Sequence, residues 1–409
     1  MSVDMKVPEI RFEGFSGEWV QSNLAECTDL LTGNPFNSKK FIADGIFLVR
    51  GMNVKRGYLD TSSNLSEYWS SSKGLERYLL EPEDIVIQMD GALIGKSYAK
   101  INSNNLPAIL VQRVTRVRCN KVEADLIYQY IQKDFLKHIS GIKTETAVPH
   151  LSLHDIRNFQ VFLPEEKEQI QIGNTFQKLD SLINQHQQKH EKLSNIKKSM
   201  LEKMFPKRGK KTPEIRFKGF SGEWEEKELG ELAEIVRGAS PRPIEDPKWF
   251  DNQSSVGWLR IRDVTEQDGR IHHLVQRISK LGQEKTRVLH EKHLLLSIAA
   301  SVGKPVVNYV ETGVHDGFLI FKKPLFELEF MYQWLKSFEL KWQQYGQPGS
   351  QVNLNSDIVK SQFVAIPSNE EQQEIGIYFQ KLDSLINQHH QQITKLNNIK
   401  QACLSKMFV

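Results

Sequence analysis

The chain contains the same sequence twice, and this internal repeat limits its possible folds more than any other feature. The segment PEIRFEGFSGEW, Pro8 to Trp19, returns with a single difference at Pro213 to Trp224. A second segment, FQKLDSLINQH, occurs unchanged at Phe176 to His186 and at Phe379 to His389. A 409-residue chain built in this way is a tandem duplication of a unit of about 200 residues.

The stretches between the repeated segments are different in the two copies. Val20 to Val161 and Glu225 to Val364 have nearly equal lengths, yet their sequences differ almost throughout. A recent duplication with uniform drift would spread the differences evenly along the chain. The pattern therefore predicts two modules of one fold that carry different surfaces on a shared framework. The alternative is that structural constraint is uneven along the repeat.

Charge and cysteine content narrow the class of protein. The chain has 54 Lys and Arg against 50 Asp and Glu, so a nucleic-acid surface must be local. Cys27, Cys119 and Cys403 are widely separated, which excludes a disulfide framework and a cysteine zinc site and fits a reducing cytoplasm. The longest apolar run, Leu294 to Ala300, is too short to cross a bilayer. We expect a cytoplasmic protein without membrane contact.

Two long helices are predicted, one after each variable stretch. Pro164 and Pro367 each precede an acidic opening, and the helical pattern then covers Glu165 to Phe205 and Ser368 to Phe408. Apolar residues at steps of three and four form a heptad seam on each helix. The seam residues are Ile172, Phe176, Leu179, Ile183 and Leu193, and Ile375, Phe379, Leu382, Ile386 and Leu396. The simplest pairing of the two seams is antiparallel.

Each variable stretch is predicted to mix strands and helices in the same order. Strands are predicted at Gly45 to Val54, Asp84 to Met89, Ala108 to Cys119, Val256 to Val264, His293 to Ala299 and Phe318 to Lys323. Helices are predicted at Ala124 to Ile139 and at Phe326 to Tyr345. The fold class is therefore α+β: two mixed α/β modules in a pseudo-two-fold arrangement, separated by an antiparallel coiled coil of two long helices.

Basic and amide side chains interleave with these strands and their loops. Lys and Arg neutralise DNA phosphates, whereas Arg fits guanine, and Asn or Gln fits adenine, through paired hydrogen bonds in the major groove. As a set, these residues are the candidates for DNA contact. They are Arg50, Asn53, Lys55, Arg56, Gln88 and Lys96 in the first module, and Arg237, Arg242, Arg260, Arg262 and Lys304 in the second.

Three short motifs resemble catalytic or metal-binding signatures but lack a required residue. Asp90 to Ser97 lacks the first glycine of a phosphate-binding loop, so we predict a turn at the end of a strand. Asn34 to Phe36 lacks one proline of the Asn-Pro-Pro-aromatic motif of adenine methyltransferases and is predicted to be a turn. His290 to His293 does not have the spacing of a zinc protease and is predicted to be a polar turn. We predict no catalytic and no metal-binding residue.

The duplicated arrangement of variable modules and long helices resembles the specificity subunit of type I restriction-modification systems, over essentially the whole chain. The resemblance implies that residues 1–163 and 207–366 are target recognition domains, each of which reads one half of a bipartite asymmetric DNA site. It also implies that residues 164–206 and 367–409 are conserved spacer helices. These helices would fix the length of unspecified DNA between the two half-sites.

The same resemblance implies which partners supply the chemistry. Two methyltransferase subunits would dock on the helices, bind S-adenosylmethionine and flip the target adenine out of double-stranded DNA. Restriction subunits would then join and cut DNA with ATP and magnesium. The chain itself would hold no cofactor and would not be an enzyme. Two alternatives remain: an adenine methyltransferase in its own right, and a coiled-coil scaffold unrelated to DNA.

Overall fold

The computed structural model describes residues 6–140, 150–207, 209–299, 302–345 and 354–409. The chain divides into two compact units, each of which takes up residues from both long helices. Unit 1 comprises Met1–Gln187 and Gln391–Val409, and unit 2 comprises Gln188–His390. The predicted functional boundaries after residues 163, 206 and 366 remain a prediction.

Unit 1 combines small sheets with helices. Its strands are β1 (Val20–Asn23), β2 (Asp29–Thr32), β3 (Ile46–Val49), β4 (Tyr68–Trp69), β5 (Ile85–Gln88), β6 (Tyr98–Lys100), β7 (Ala108–Leu110), β8 (Val114–Arg118) and β9 (Gln160–Leu163). Its helices are α1 (Leu24–Cys27), α2 (Ala124–Tyr130), α3 (Leu136–Ser140), α4 (Leu153–Arg157) and the first part of α5 (Glu166–Lys203). The sheet orders are β2-β8-β5-β6, β4-β3-β7 and β1-β9.

Unit 2 has a similar plan, in which the largest sheet has five strands instead of four. Its strands are β10 (Glu225–Glu228), β11 (Glu234–Arg237), β12 (Gly257–Leu259), β13 (Arg270–Ile271), β14 (Arg287–Leu289), β15 (Leu294–Ser297), β16 (Pro305–Asn308), β17 (Thr312–Val314), β18 (Phe318–Lys322) and β19 (Phe363–Ile366). Its helices are α6 (Leu229–Leu232), α7 (Ile261–Glu266), α8 (Lys280–Gln283), α9 (Leu328–Phe338), α10 (Ser356–Lys360) and part of α11 (Asn369–Lys406). The sheet orders are β11-β18-β15-β16-β13, β12-β17-β14 and β10-β19. The mixed fold with two long helices confirms the predicted α+β class.

The two long helices run antiparallel inside unit 1. The Phe176 ring of α5 lies 5.5 Å from the ring of Phe408, which follows the end of α11. Further along α5, the Asp180 carboxylate accepts a hydrogen bond of 2.6 Å from Lys400 Nζ. Later residues of α5 therefore contact earlier residues of α11.

The helices are also antiparallel inside unit 2. Lys197 Nζ of α5 lies 2.5 Å from the Asp383 carboxylate of α11. The ring of Phe205, just after α5, lies 6.1 Å from the ring of Phe379 near the start of α11. The order of contacts along the two helices is again opposite, as predicted.

The predicted seam residues take two kinds of environment. Most of the buried ones lie near the start of each helix and pack into the hydrophobic core of their unit, whereas Ile183 is buried further along α5, after the partly buried Leu179. The buried ones are Ile172, Phe176, Ile183, Ile375, Phe379 and Leu382, and the partly buried ones are Leu179, Leu193, Ile386 and Leu396. Each helix is thus anchored in a module by its first turns, because those turns present apolar side chains to the module.

The first repeated segment holds the two long helices together in unit 1. Arg11 donates two hydrogen bonds, of 2.7 and 2.6 Å, to the Glu168 carboxylate in the first turns of α5. The neighbouring backbone amide of Ile10 donates to the Lys406 carbonyl at the end of α11, at 2.8 Å. Trp19 closes the segment and is buried in the core.

The second copy of this segment makes the same contacts in unit 2. Arg216 donates two hydrogen bonds of 2.7 Å to the Glu371 carboxylate at the start of α11. The amide of Ile215 donates to the Lys203 carbonyl at the end of α5, and Trp224 is buried. Identical contacts at both places explain why this segment is nearly unchanged between the copies.

All six predicted strands are shorter than expected, and three of these predictions were partly wrong because the chain turns within the predicted range. The chain leaves the extended conformation after β3 and β12, because side chains cap the turns that come next. The Asn53 side chain accepts the Arg50 amide, and Asp263 accepts the Arg260 amide. The run from Ala108 to Cys119 is interrupted between β7 and β8 at Arg113, whose φ is 68°.

The two helices predicted in the modules also differ from regular α-helices. Residues Ile131–Phe135, between α2 and α3, form a π-helical turn, while the helical course continues to Ser140. In unit 2 the α-helix ends at Phe338 and continues as a 3₁₀ helix over Glu339–Tyr345. The sequence pattern predicted the helical course but not the change in hydrogen bonding.

Candidate nucleic-acid interface

Four loops of unit 1 meet where several of its strands end. The parallel strands β3 and β7 finish side by side, with Val49 opposite Leu110. The amide of Asn34, after β2, donates to the Leu110 carbonyl, and the Met89 amide, after β5, donates to the Arg113 carbonyl. We call this place the strand-end edge of unit 1, and it is formed by Asn34, Arg50, Gln88, Asp90 and Arg113.

An arginine held by a carboxylate lies at this edge. Arg113 Nη1 donates to Asp90 Oδ2 at 2.8 Å, and the Arg113 side chain is 67% exposed. Gln88 Nε2 donates to the Asp90 carbonyl at 2.7 Å and so fixes the same turn. Arg113 has a positive φ, a conformation that non-glycine residues seldom adopt and that is often found at functional sites.

Two of the predicted DNA-contact residues of unit 1 form hydrogen bonds with the backbone of the loop that contains Asp60 and Leu65, instead of facing solvent. Asn53 is 0% exposed, and its amide donates to the carbonyls of Asp60 and Leu65 at 3.0 Å. A base cannot reach this side chain, so the prediction for Asn53 needs correction. Arg50 is partly buried, donates to the Leu65 carbonyl at 2.5 Å and lies 5.7 Å from the centre of the Phe41 ring.

The remaining basic candidates of unit 1 lie around the start of β6. Lys96 is exposed and follows Gly95, whose φ of 76° permits the turn. Arg56 is exposed and forms a backbone bridge with Tyr98, while Lys55 is half-buried. Lys96 and Arg56 are thus basic side chains open to solvent.

The corresponding loops of unit 2 also meet at the ends of strands. The parallel strands β12 and β17 finish together, with Leu259 opposite Val314. The Ala239 amide, after β11, donates to the Val314 carbonyl. Gly238 is required here, because a Cβ would lie 2.1 Å from the His315 carbonyl oxygen. The strand-end edge of unit 2 is formed by Arg237, Ser240, Arg242, Arg260 and Asp316.

Asp316 organises the strand-end edge of unit 2. Its carboxylate accepts hydrogen bonds of 2.7 Å from Ser240 Oγ and from Arg242 Nη2, and its carbonyl accepts one of 2.6 Å from Arg237 Nε. Partial burial opposes ionisation, but the Ser240 hydrogen bond and the Arg242 charge together lower the pKa of Asp316 below its ordinary value. The carboxylate is therefore charged at neutral pH and holds Arg242, while the backbone carbonyl of the same residue holds Arg237.

The three other candidates of unit 2 differ in their exposure and in the contacts that hold their side chains. Arg260 donates two hydrogen bonds, of 3.1 and 2.9 Å, to the buried Asp263 carboxylate. Arg262 is largely exposed on α7 and pairs with Glu266 one turn later, at 2.5 Å. Lys304 is partly buried and follows Gly303, whose φ of 86° gives the same kind of Gly-Lys turn as in unit 1. Ser301, in the same motif, lies outside the described residues.

The motifs with missing residues form ordinary connections. Asp90 to Ser97 makes turns after β5, as predicted. His290 contacts Glu311 in the connection between β14 and β15. The turn predicted for Asn34 to Phe36 is wrong: Asn34 is extended and pairs with Val111 in a parallel bridge.

Among the described residues, no group of three or more His, Cys, Asp and Glu could hold a metal ion. No helix in the described ranges is long and apolar enough for a membrane.

The residues predicted from the sequence were basic and amide side chains, and they did not include the carboxylates beside them. Asp90 and Asp316 were not among the predicted contacts, and neither was Arg113, which lay inside an apolar run predicted to be a single strand. A signal for Arg113 does exist in the repeat. Strands β8 and β18 occupy matching places in the two copies. The residue before β18 is Gly317, in a His-Asp-Gly sequence typical of a turn, and the residue before β8 is Arg113. Comparing the two copies therefore indicates a turn at Arg113.

Comparison with known proteins identifies the family. The family described as type I restriction modification DNA specificity domain matches residues 16–195 and 221–398. The EcoBI specificity subunit of Escherichia coli is 23% identical over 95% of this chain and 85% of its own length. The MjaVIII specificity subunit of Methanocaldococcus jannaschii is 21% identical over 80% of this chain and 78% of its own length.

A solved structure has the same fold. The S subunit of the type I restriction-modification system from M. genitalium superposes with a TM-score of 0.62 at 13% identity, over 98% of this chain and 99% of that one. The family match occurs twice, once in each copy of the repeat, and together the two matches cover most of the sequence. The chain therefore belongs to the DNA specificity family of type I restriction-modification systems.

Proposed function

We propose that each unit reads one half of a bipartite asymmetric DNA site through its strand-end edge. The observation that carries this proposal is that both edges have the same backbone plan but different side chains. In unit 1 the edge presents Gln88, Asp90 and Arg113, whereas in unit 2 it presents Ser240, Arg242 and Asp316. Different donors and acceptors on one plan are what two unlike half-sites require.

Basic residues outside the pairs of Arg113 with Asp90 and of Arg242 with Asp316 are suited to phosphate contacts, although Arg262 also pairs with Glu266. Arg56 and Lys96 in unit 1 and Arg262 in unit 2 are exposed, and Lys304 is partly exposed. Contacts with phosphates position a protein on the duplex without reading its sequence, and they make binding sensitive to salt. This division of labour fits the mild net charge of +4, since only local patches need to be positive.

We further propose that the long helices fix the spacing between the half-sites. Each is continuous over 38 residues, about 57 Å at 1.5 Å per residue. A helix resists bending and twisting, and each added base pair turns one half-site relative to the other by roughly 36°. A rigid connection therefore makes the spacer length as selective as the bases.

We also propose the partners that the family implies. Two methyltransferase subunits dock on the helices and provide S-adenosylmethionine, and restriction subunits provide cleavage with ATP and magnesium. The chain itself acts as a non-catalytic recognition subunit in the cytoplasm, where its double-stranded DNA and its partners are located. The family assignment supports this proposal.

The test is to map methylated adenines in cells that contain the methyltransferase partner and this chain. Replacing Val20 to Val161 with the matching stretch of another specificity subunit should change one half-site and leave the other half-site and the spacer unchanged. The control is the parental chain in the same cells. An unchanged methylation pattern would contradict the proposal, as would methylation by the purified chain alone with S-adenosylmethionine.

A further inference from the structure

We infer that Arg113 in unit 1 and Arg242 in unit 2 read guanine, and that Asp90 and Asp316 are positioning residues that aim them. This inference rests on the proposed function and deepens it, because it names one specificity-determining side chain in each unit. Arg113 was not among the residues predicted from the sequence.

In unit 1 the guanidinium of Arg113 is fixed by a hydrogen bond and remains accessible to solvent. The hydrogen bond with Asp90 uses Nη1, and the side chain remains 67% exposed. An arginine has five N–H donors in a fixed fork, so one such contact leaves a pair of donors for a ligand. Guanine offers two acceptors, O6 and N7, to such a fork in the major groove.

In unit 2 the same chemistry is built from a different loop. Arg242 lies in the segment after β11, its Nη2 donates to Asp316 at 2.7 Å, and its side chain is 72% exposed. Ser240 holds the other oxygen of the same carboxylate. Arg113 instead lies between β7 and β8. Since the two arginines are not at matching places in the repeat, the shared arrangement is not simply inherited from the duplication.

Stability does not account for these pairs. Ion pairs of exposed side chains contribute little to folding, whereas breaking a buried pair is costly because it leaves an unpaired charge in the interior. The molecule has a largely buried pair elsewhere: the side chains of Arg11 and Glu168 are 13% and 1% exposed. A carboxylate facing DNA phosphates is also unfavourable on its own. Its use here is to fix the orientation of the guanidinium, which reduces the side-chain entropy lost when a base binds.

The inference predicts a defined change when the fork is removed but the charge is kept. In the complex with the methyltransferase partner, Arg113→Lys should lose the preference for guanine at one position of the first half-site. A paired contact of this kind gives roughly ten- to hundred-fold discrimination against other bases. Arg242→Lys should have the same effect on the second half-site. The measurement is the relative methylation rate on a library of sites with every base at each position.

Each variant is the control for the other, because the half-site read by the unchanged unit should keep its full preference and so reports correct folding. Asp90→Asn should weaken the same guanine preference as Arg113→Lys, while Arg157→Lys, an exposed arginine at the end of α4, should change nothing.

Two outcomes would overturn the inference. In the first, Arg113→Lys keeps every base preference. In the second, the variant slows methylation equally on all sequences, as loss of a phosphate contact would do. Failure of the proposed function gives a different result, because the parental complex would then show no bipartite site that depends on this chain.

Discussion

At the scale of single residues, His315 shows how the strand-end edge of unit 2 depends on a neutral side chain. Its ring lies 5.9 Å from that of Trp258 and 4.9 Å from that of Phe318, and its Nδ1 accepts the Gly317 amide at 2.8 Å. Burial lowers the pKa of His315, and the neighbouring Asp316 carboxylate only partly opposes this. Protonation would place a proton on the nitrogen that accepts the amide.

We therefore expect unit 2 to lose stability as the pH falls. The unfolded chain takes up a proton near the ordinary pKa of 6.5, while the folded chain takes it up only at a lower pH. The contribution of His315 is thus fully present above pH 6.5 and is lost as the pH falls toward the folded pKa. Urea unfolding at about pH 7.5 and about pH 5.5, on either side of the ordinary value, measures it.

His315→Asn, which cannot titrate, is the control for this pH dependence. The variant should lose less stability than the parent between the two pH values. An equal loss in both proteins would show that other groups cause the effect.

At the scale of elements, the repeated segment that precedes each module acts as a structural clamp on the long helices. Arg11→Ala leaves the Glu168 carboxylate, 1% exposed, without its ion partner. Removing one member of such a buried pair costs about 3–5 kcal/mol of unfolding free energy. Arg216→Ala should have a similar effect through Glu371 in unit 2. Urea unfolding followed by circular dichroism measures both.

The matched control for Arg11→Ala is Glu13→Ala in the same segment, because Glu13 is exposed. We expect this variant to stay within about 0.5 kcal/mol of the parent. If Arg11→Ala were as stable as Glu13→Ala, the clamp would have no energetic role.

The unchanged segment FQKLDSLINQH supplies the ion pairs between the long helices. Asp180 pairs with Lys400 in unit 1, and Asp383 pairs with Lys197 in unit 2. Lys400 Nζ also donates to the Gln132 amide oxygen at 2.7 Å. The aspartate of the segment thus makes an ion pair between the long helices in each copy, and in unit 2 it also pairs with Arg270.

The two sides of this pair should respond differently to mutation. Asp180→Ala leaves a lysine that is only 10% exposed without its carboxylate, so we expect a loss of about 2–4 kcal/mol. Lys400→Met leaves a carboxylate that is 29% exposed and can reach water, so a smaller loss is expected. Unfolding free energies of both variants test this order, and the reverse order would refute it.

The sequence predicted the helices better than the candidate site, for a physical reason. The prolines and the heptad pattern placed the long helices within two residues of their observed ends, since these signals are local. The contacts of Arg113 with Asp90 and of Arg242 with Asp316 join residues 23 and 74 positions apart. The periodicity of apolar residues carries no information about such distant pairs. Arg113 was missed because the apolar run around it predicted one continuous strand, whereas the chain turns at this residue.

At the scale of the whole molecule, the continuity of the helices leads to a prediction about DNA spacing. Four residues inserted after Gln187 lengthen α5 by about 6 Å and rotate the remainder of the helix by roughly 40° beyond a full turn. We expect the original spacer to be lost, either to a different spacer length or to no methylation. Mapping methylated adenines measures this.

The control for this insertion is a second one of equal length after His390 in α11. Together the two insertions restore the pairing of the helices, so methylation should return with a longer spacer. Full methylation at the original spacer in the single-insertion variant would exclude a measuring role for the helices.

The pairing of β1 with β9 has a consequence for how such proteins change. Val20 lies opposite Leu163, so the variable stretch of unit 1 enters and leaves the framework at neighbouring points, and Glu225 opposite Ile366 does the same in unit 2. A recombination event with crossovers in these strands would replace a whole variable stretch without altering either long helix. A new DNA specificity can therefore arise in a single genetic step.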